Sequence, residues 1–276
     1  MNYFDAHSHP HDKAFDADRE QVILEMKEKG IATIAIGTDK EESTKALILA
    51  EKYEYVYASV GLHPADNVLE AFDYGFYTML ATHPKVVAIG ECGLDYFYIQ
   101  NFFERDKNEK GITHTEEEEK LRQKDIFKSH INLALAVNKP LMLHIRASKG
   151  SIDAYDDALE ILRNAKDAHP QLKGNVHFFT GTVEVAKQFI ELGFTLSFPG
   201  VITFTNEYDE VVTSTPLDMM HAETDSPYAT PAPYRGRRNS PVYVEEIVKK
   251  IAELKGLEIE VVKLQLLENK KRVFGI

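Results

Sequence analysis

The sequence predicts an α/β protein that folds as a single (β/α)8 barrel, the TIM-barrel class. Short apolar segments alternate eight times with longer amphipathic segments, which is typical of strands and helices in turn. The apolar segments are nearly continuous, as in parallel strands covered on both faces, and 276 residues suffice for one closed barrel. A dinucleotide-binding open sheet would carry a glycine-rich turn after its first strand, where this chain has His7-Ser8-His9-Pro10-His11. Closure into a barrel is therefore favoured.

In chain order, each predicted strand is a short apolar run and each predicted helix has a longer amphipathic pattern. The strands are predicted at residues 3–7, 31–38, 56–62, 86–91, 141–145, 175–179, 194–198 and 219–223. The helices are predicted at residues 18–29, 40–52, 72–82, 115–137, 153–168, 183–192, 207–213 and 242–254, with an additional helix at 258–272 after barrel closure. Thr115 and Glu118 have the spacing of a capping box, which predicts the start of the fourth helix. No repeat or linker divides the chain, so residues 1–276 are predicted to form one domain.

Residues 97–113 interrupt the alternation of strands and helices. The segment is first aromatic and then strongly polar, and it is too long for an ordinary connection. We predict an inserted loop after the fourth strand, on the face of the barrel that carries active sites.

Composition and charge narrow the function. The chain is 43% hydrophobic and 28% charged, as ordinary globular proteins are, and its single cysteine, Cys92, excludes disulfides and thiolate-rich metal sites. No apolar run is long enough to span a membrane and no signal segment is recognised, so the expected location is cytoplasmic, with no membrane partner. A net charge of −12 argues against nonspecific coating of nucleic acid. An enzyme that cleaves phosphodiesters is still allowed, because bound cations can dominate the local field.

Imidazoles and carboxylates follow most of the predicted strands, at the ends where barrels of this kind build active sites. His7 and His9 point to the same side because side chains alternate along a strand. A carboxylate such as Glu91, after an apolar strand, would be buried and needs a cation to compensate it. A lone His177 is more often a hydrogen-bonded core residue, but such groups at five strand ends together favour a metal site. Nitrogen and oxygen ligands suit Mg²⁺, Mn²⁺ or Zn²⁺, and two ions about 4 Å apart could share Glu91.

The remaining histidines do not follow this pattern. The histidines expected to be solvated or capping residues are His83, His114, His130, His169 and His221. His11 lies beyond the first strand, and the sequence allows either a metal ligand or a solvated residue at this position.

The strand-end motifs, in order, resemble those of the TatD family of metal-dependent deoxyribonucleases, within the amidohydrolase superfamily. The motifs are His7-Ser8-His9, Gly61-Leu62-His63-Pro64, Gly90-Glu91-Cys92-Gly93-Leu94-Asp95-Tyr96, His144-Ile145-Arg146, His177-Phe178-Phe179-Thr180-Gly181, Glu223-Thr224-Asp225-Ser226-Pro227 and Arg235-Gly236 with Asn239 and Pro241. The resemblance extends from residue 1 to about residue 272. The chain departs from the family pattern in the long insertion, in Ala147-Ser148 after Arg146, and in Phe178 where cysteine is common.

The resemblance implies a hydrolase with two metal ions and a metal-activated water that cleaves phosphodiester bonds in DNA, often from the 3′ end. The implied ligands of one metal are His7, His9, Glu91 and Asp225, and those of the other are Glu91, His144 and His177. It also implies that His63 and Glu223 support the ligands or contact the substrate. The expected substrate is DNA with single-stranded or 3′ ends, and no obligate protein partner is expected.

In the expected mechanism Asp225 orients and deprotonates the attacking water, Glu91 couples the two metals, and Glu223 or a metal-bound water donates the proton. Arg146 and Arg235 are the predicted phosphate contacts. Lys149, Arg237 and Arg238 are further candidates, although the last two fit a solvated loop equally well.

The aromatic residues of the insertion have two possible roles. They either stack on the bases of an unpaired end or, as we favour from the sequence, fix the inserted segment to the barrel. They are Tyr96, Phe97, Tyr98, Phe102 and Phe103.

Two other functions remain open at this point. One is an esterase or deacylase of the same architecture, for example one acting on aminoacyl-tRNA, because an activated water attacks carbon or phosphorus alike. The other is a noncatalytic metal-dependent binding protein, against which the complete ligand set argues.

Overall fold

The computed structural model describes residues 1–276, and its centre is one sheet of eight parallel strands. Each strand pairs with the next in chain order from β1 to β8, which confirms the predicted (β/α)8 class. The strands are β1 Tyr3–Ser8, β2 Ile31–Ile36, β3 Val56–Val60, β4 Val86–Asp95, β5 Leu141–Arg146, β6 Gly174–Val176, β7 Thr195–Phe198 and β8 Met220–Ala222. Strand β4 is longer than predicted and carries Glu91 and Asp95 within it.

The segment after β8 closes the barrel against β1. The N–H of Asp225 donates to the carbonyl of His7 (2.9 Å), and the N–H of His9 donates to the carbonyl of Ser226 (2.7 Å). The buried carboxylate of Asp5 accepts from the N–H of Thr224 (2.8 Å) and from its hydroxyl (2.6 Å). These bonds fix the first strand and the last strand in one register at the rim.

The helices follow the predicted alternation. They are α1 Arg19–Lys29, α2 Lys40–Lys52, α3 Tyr74–Ala81, α4 Tyr96–Asn101, α5 Phe103–Lys110, α6 Glu116–Val137, α7 Asp153–Ala168, α8 Val183–Glu191, α9 Asp209–Ser214, α10 Val244–Lys255 and α11 Ile259–Phe274. The capping box predicted from Thr115 and Glu118 is present at the start of α6. None of the helices combines the length and the apolar character that crossing a membrane requires.

The insertion differs from its prediction. Residues 97–113 were expected to form a loop, but they lie mostly in the two short helices α4 and α5. Asp95 caps α4 by accepting from the N–H of Tyr98 (2.7 Å), and Gly111 ends α5 in the left-handed conformation. The prediction was wrong because helices this short depend on caps and packing rather than on their own periodicity.

The final helix is also part of the barrel framework. Its residue Phe274 packs on Phe4 of β1 with a centroid distance of 6.0 Å, within a buried apolar cluster that includes Ile34 and Met142. Asn269 of α11 donates to the carbonyl of Met220 (2.8 Å) in β8. The helix therefore joins the first strand and the last strand on the side away from the closing bonds of the rim.

Candidate metal centre

A cavity of about 640 Å³ opens at the carboxyl ends of the strands. Imidazoles and carboxylates line its centre, and aromatic side chains line part of its edge. The central polar groups are His9, His63, Glu91, Asp95, His144, His177 and Asp225. Side chains from six of the eight strand ends therefore meet in one place.

One cluster joins strand β1 to the segment after β8. Nε2 of His7 lies 3.4 Å from Oε2 of Glu91 and 3.7 Å from Oδ1 of Asp225, and Nε2 of His9 lies 3.5 Å from the same Asp225 oxygen. Nδ1 of His9 lies 3.0 Å from the carbonyl of Ile36, to which it can donate only when protonated. That hydrogen bond leaves Nε2 of His9 as the atom free to bind a cation.

A second cluster lies on the other side of Glu91. Oε1 of Glu91 lies 3.0 Å from Nδ1 of His144 and 2.8 Å from Nε2 of His177, and these two nitrogens are 3.2 Å apart. Glu91 thus directs one oxygen to each cluster. This is the arrangement that a bridging carboxylate between two cations requires.

Glycines flank Glu91 and let β4 approach β5. Gly90 and Gly93 have φ values of 145° and 140°, and a Cβ on either would clash with the backbone carbonyl of Met142 or His144. Glycine at both positions therefore places Glu91 beside His144.

The donor atoms fit divalent cations. Both ring nitrogens of His7 are buried and have no hydrogen-bond partner, which is costly unless another group satisfies them. The rings of His7 and His177 stack with a centroid distance of 3.7 Å, so a positive charge on both imidazoles at once is unfavourable. Nitrogen and carboxylate donors without thiolates suit Mg²⁺, Mn²⁺ or Zn²⁺.

The electrostatics divide the imidazoles into two kinds. Burial lowers the pKa of His7 to about 3, with the neighbouring His177 contributing. Burial also acts to lower the pKa of His9 and of His144, but carboxylates outweigh it and raise each pKa to about 9, through Asp225 for His9 and through Asp95 and Glu91 for His144. Burial alone would raise the pKa of Glu91, yet the surrounding imidazoles hold it well below its usual range. Glu91 is therefore ionised and requires positive charge around it.

Helix α6 supports the second cluster through Asp95. Oδ2 of Asp95 lies 3.1 Å from Nε2 of His144, and its N–H donates to Oε1 of Gln123 (2.8 Å). A carboxylate on the far ring nitrogen fixes the orientation of a histidine ligand. Asp95 thus positions His144 from outside the cluster.

Helix α6 also contacts the segment around His63, which follows β3. The N–H of Leu62 donates to Nε2 of His130 (2.9 Å), and Nη2 of Arg122 donates to the carbonyl of Pro64 (2.7 Å). Nδ1 of His63 lies 3.1 Å from the N–H groups of Ala65 and Asp66, and its Nε2 lies 3.5 Å from Oε1 of Glu91. His63 therefore directs Nε2 into the cavity.

Glu223 lies beneath the cavity rather than in its wall. Its side chain is fully buried beneath His177, and its Oε1 accepts from the N–H of Phe178 (2.6 Å) while Oε2 bonds to the hydroxyl of Ser197. Phe178 has a left-handed φ of 47°, which is unusual for a bulky residue, so Glu223 holds a strained turn next to His177. Glu223 does not line the cavity, so of the two expected roles its position favours support of the ligands over contact with the substrate, and its role stays a prediction.

The predicted phosphate contacts separate in the structure. Arg146 lines the cavity, whereas the guanidinium of Arg235 stacks on Phe204 with Cζ 3.8 Å from the ring centroid, outside the cavity. The segment after β8 thus places Arg235 outside the cavity, and its contact with a phosphate stays a prediction. Arg238 is also engaged elsewhere, in an ion pair with Asp18 (2.7 Å). Neither Lys149 nor Arg237 lines the cavity.

Several residues that support the site were not singled out from the sequence. Asp5 and Asp95 are carboxylates in buried strands, so the burial argument that identified Glu91 could have found both. His130 and His221 are fully buried, which corrects their expected solvated or capping role. His11 is also buried, with Nε2 3.4 Å from Oε2 of Glu42, and does not belong to either cluster.

Comparison with known proteins confirms the resemblance in family. Residues 4–275 match the family model described as TatD related DNase. The uncharacterized metal-dependent hydrolase YabD of Bacillus subtilis is 38% identical over 277 residues, covering 99% of each chain. The uncharacterized metal-dependent hydrolase YcfH of Escherichia coli K12 is 35% identical over 230 residues, covering 83% of this chain and 77% of its own.

Solved structures give the same result. The crystal structure of YJJV, a TatD homolog from Escherichia coli, superposes with a TM-score of 0.82 and 25% identity, covering 100% of this chain and 98% of its own. The two clusters therefore lie in a fold that a solved TatD homolog shares over nearly its whole length.

Proposed function

Because the chain belongs to the TatD-related DNase family and is a metal-dependent hydrolase with the amidohydrolase-type TIM-barrel fold, we propose that it hydrolyses phosphodiester bonds in DNA, removing nucleotides from single-stranded 3′ ends. The observation that carries the proposal is Glu91, whose two oxygens face two separate clusters of imidazoles and carboxylate. Negative charge develops on several oxygens when a phosphodiester is cleaved, and two neighbouring cation sites can neutralise more than one of them.

The residues that would hold two divalent cations follow from the two clusters. His7, His9, Glu91 and Asp225 would hold one ion. Glu91, His144 and His177 would hold the other. Such a pair of ions, as Mg²⁺, Mn²⁺ or Zn²⁺, lowers the pKa of a water molecule and neutralises charge on the phosphoryl oxygens.

The side chains of the cavity perform the remaining steps. Asp225 has a left-handed φ of 51°, which an aspartate tolerates, and its carboxylate faces the cavity beside His9. It accepts the proton of the attacking water and holds that water in line with the phosphorus. Nε2 of His63 faces the same space and is placed to donate to a phosphoryl oxygen. Arg146 contacts a neighbouring phosphate from the edge of the cavity.

The experiment that tests the proposal is a cleavage assay on DNA strands labelled at either the 5′ or the 3′ end, with Mg²⁺, Mn²⁺ and Zn²⁺ in turn. We expect stepwise loss of nucleotides from the 3′ end, which stops on addition of EDTA and resumes when the cation is restored. Asp225→Asn should reduce cleavage by a factor of roughly 100 or more, because it removes the proton acceptor.

A panel of small carboxylic esters and aminoacyl-tRNA, assayed in parallel, separates this proposal from a deacylase. Faster turnover of the esters than of DNA would contradict the nuclease assignment. Cleavage unaffected by EDTA would contradict the metal assignment. Without added cation, Asp225→Asn must keep the unfolding temperature of the unaltered protein for its loss of activity to count.

A further inference from the structure

The aromatic side chains of the insertion fall into two sets. Three of them anchor α4 and α5 to the barrel and to each other. The hydroxyl of Tyr96 donates to Asp157 (2.6 Å), the hydroxyl of Tyr98 donates to Asp106 (3.0 Å), and Phe103 is fully buried. These contacts fix the insertion to the barrel, as the sequence favoured. Phe97 and Phe102 are not needed for that anchoring and are available for another role.

Tyr98 also lines the cavity, but its hydroxyl is engaged by Asp106, whereas Phe97 and Phe102 line the cavity with no such anchor. Both line the space that contains Glu91, and Phe102 is 40% exposed. Their ring centroids are 6.0 Å apart at an interplanar angle of 58°. The guanidinium of Arg146 lies over the ring of Phe97 with Cζ 3.8 Å from its centroid. The guanidinium of Arg105 lies farther off, over Phe102 with Cζ 5.4 Å from the centroid, so two aromatic rings and the closely stacked Arg146 lie at the edge of the cavity.

This surface is held in place before any ligand arrives. Lys149 donates its N–H to the side chain of Gln100 (2.7 Å), which links α4 to the segment after β5. Within α5, Asp106 forms ion pairs with Arg105 (3.0 Å) and Lys110 (2.8 Å). Preorganisation of this kind reduces the entropy lost on binding.

We propose that Phe97, Phe102 and Arg146 form a stacking subsite for one unpaired base of the substrate strand, adjacent to the phosphodiester that is cleaved. Every base has a π-face, and an exposed aromatic ring together with a guanidinium is the combination that binds such faces without reading sequence. The guanidinium of Arg146 can also donate hydrogen bonds to the phosphate of the same nucleotide. A base inside a duplex is covered on both faces by its neighbours, so this subsite selects unpaired ends.

The inference rests on the proposed cleavage of DNA and names the residues that bind an unpaired base of that strand. It also gives the insertion a function, since the insertion supplies both rings. The third member, Arg146, comes from the end of β5, beside the candidate ligand His144.

A matched control pair exists in the same protein. Phe204 is 41% exposed and carries the guanidinium of Arg235 at the same 3.8 Å, but neither residue lines the cavity. Phe204→Ala therefore removes an equivalent exposed ring and cation contact outside the cavity.

The test measures KM and kcat with Mg²⁺ for single strands that end in either thymidine or an abasic residue. We expect Phe102→Ala and Phe97→Ala to raise KM for the thymidine-ended strand by roughly 5- to 150-fold, the range of one base stack. The same variants should leave KM for the abasic-ended strand within about twofold, a factor small against the loss of one stack. Phe204→Ala should change neither value.

Binding of a fluorescent phosphorothioate single strand, which is cleaved slowly, gives an independent readout by anisotropy. If the unaltered protein cleaves DNA and the two variants match it on both strands, the subsite is refuted while the nuclease proposal stands. If no DNA is cleaved but the phosphorothioate strand binds in a Phe102-dependent manner, the nuclease proposal fails and the subsite stands. Equal losses on the thymidine-ended and abasic-ended strands, or no binding by the unaltered protein, would refute the subsite.

Discussion

One oxygen of Asp95 lies 3.1 Å from Nε2 of His144, while its other oxygen caps α4 by accepting from the N–H of Tyr98 at 2.7 Å. The same side chain therefore orients a candidate metal ligand and starts the insertion. Because Phe97 lies in the first turn of α4, Asp95 links the position of this ring to the position of His144.

Asp95→Asn separates these two roles. Asparagine still caps a helix but carries no charge to hold the imidazole of His144. We expect the affinity for one of two bound Mn²⁺ ions to fall by roughly 10- to 100-fold, as measured by isothermal titration calorimetry. Asp106→Asn, a change to a buried carboxylate of the insertion that does not touch a candidate ligand, is the control. Equal Mn²⁺ affinities in Asp95→Asn and the unaltered protein would contradict the positioning role.

Divalent cations should raise the unfolding temperature. The unpartnered nitrogens of His7 and the ionised Glu91 are stabilised when a cation binds the folded state and not the unfolded chain. At 100 times the dissociation constant, the free energy of unfolding should rise by about 2.7 kcal/mol per site. Differential scanning calorimetry with and without EDTA measures this rise. Asp225→Asn should lose part of it, and an unchanged melting temperature on cation addition would argue against a metal centre.

Glu223→Gln tests whether Glu223 has a supporting role or donates a proton. Because its carboxylate is buried beneath His177 and absent from the cavity, we expect kcat at saturating Mg²⁺ to fall by less than about 10-fold, with both limbs of the pH–rate profile retained. Loss of a proton donor would cost roughly 100-fold or more and remove one limb. Steady-state rates between pH 5 and 9, compared with those of Asp225→Asn, distinguish these outcomes.

His130 should make stability depend on pH. Burial lowers its pKa to about 4 in the folded state, below the value of about 6.5 for an exposed imidazole. Between these values the unfolded chain binds a proton that the folded chain does not, so the free energy of unfolding decreases as pH falls from 6.5 to 4. The contribution is at most about 3 kcal/mol, from 1.36 kcal/mol for each pKa unit.

Urea unfolding of His130→Gln across that pH range should show a smaller dependence on pH than the unaltered protein. His169→Gln replaces an exposed histidine and is the control. If His130→Gln keeps the full pH dependence, other groups account for it.

The barrel followed from the sequence because it depends on a regular pattern, whereas the division of the ligands into two clusters was implied by the resemblance to the TatD family. Nearly continuous apolar strands fixed the fold class, and barrel geometry then placed His7, Glu91 and His144 at one end. Their assignment as metal ligands stays a prediction. The direction of Arg235 could not be predicted, because it is set by the irregular chain after β8 rather than by any periodicity.

The insertion and the buried histidines were harder for a different reason. Helices α4 and α5 have six and eight residues, so their caps and tertiary contacts decide whether they form. His130 lies on a face of α6 that only the completed barrel covers, where it accepts from Leu62. Such contacts join residues distant in sequence, and a local pattern does not record them.

The bond between Asp5 and Thr224 joins residues that are 219 positions apart in the chain. During synthesis, His7 and His9 of the first strand region can contact Asp225 only after the segment that follows the last strand has been made. A nascent chain therefore has no complete candidate metal centre until the segment after β8 has left the ribosome. The proposed nuclease activity would then be absent while the barrel is being made, without a separate inhibitor.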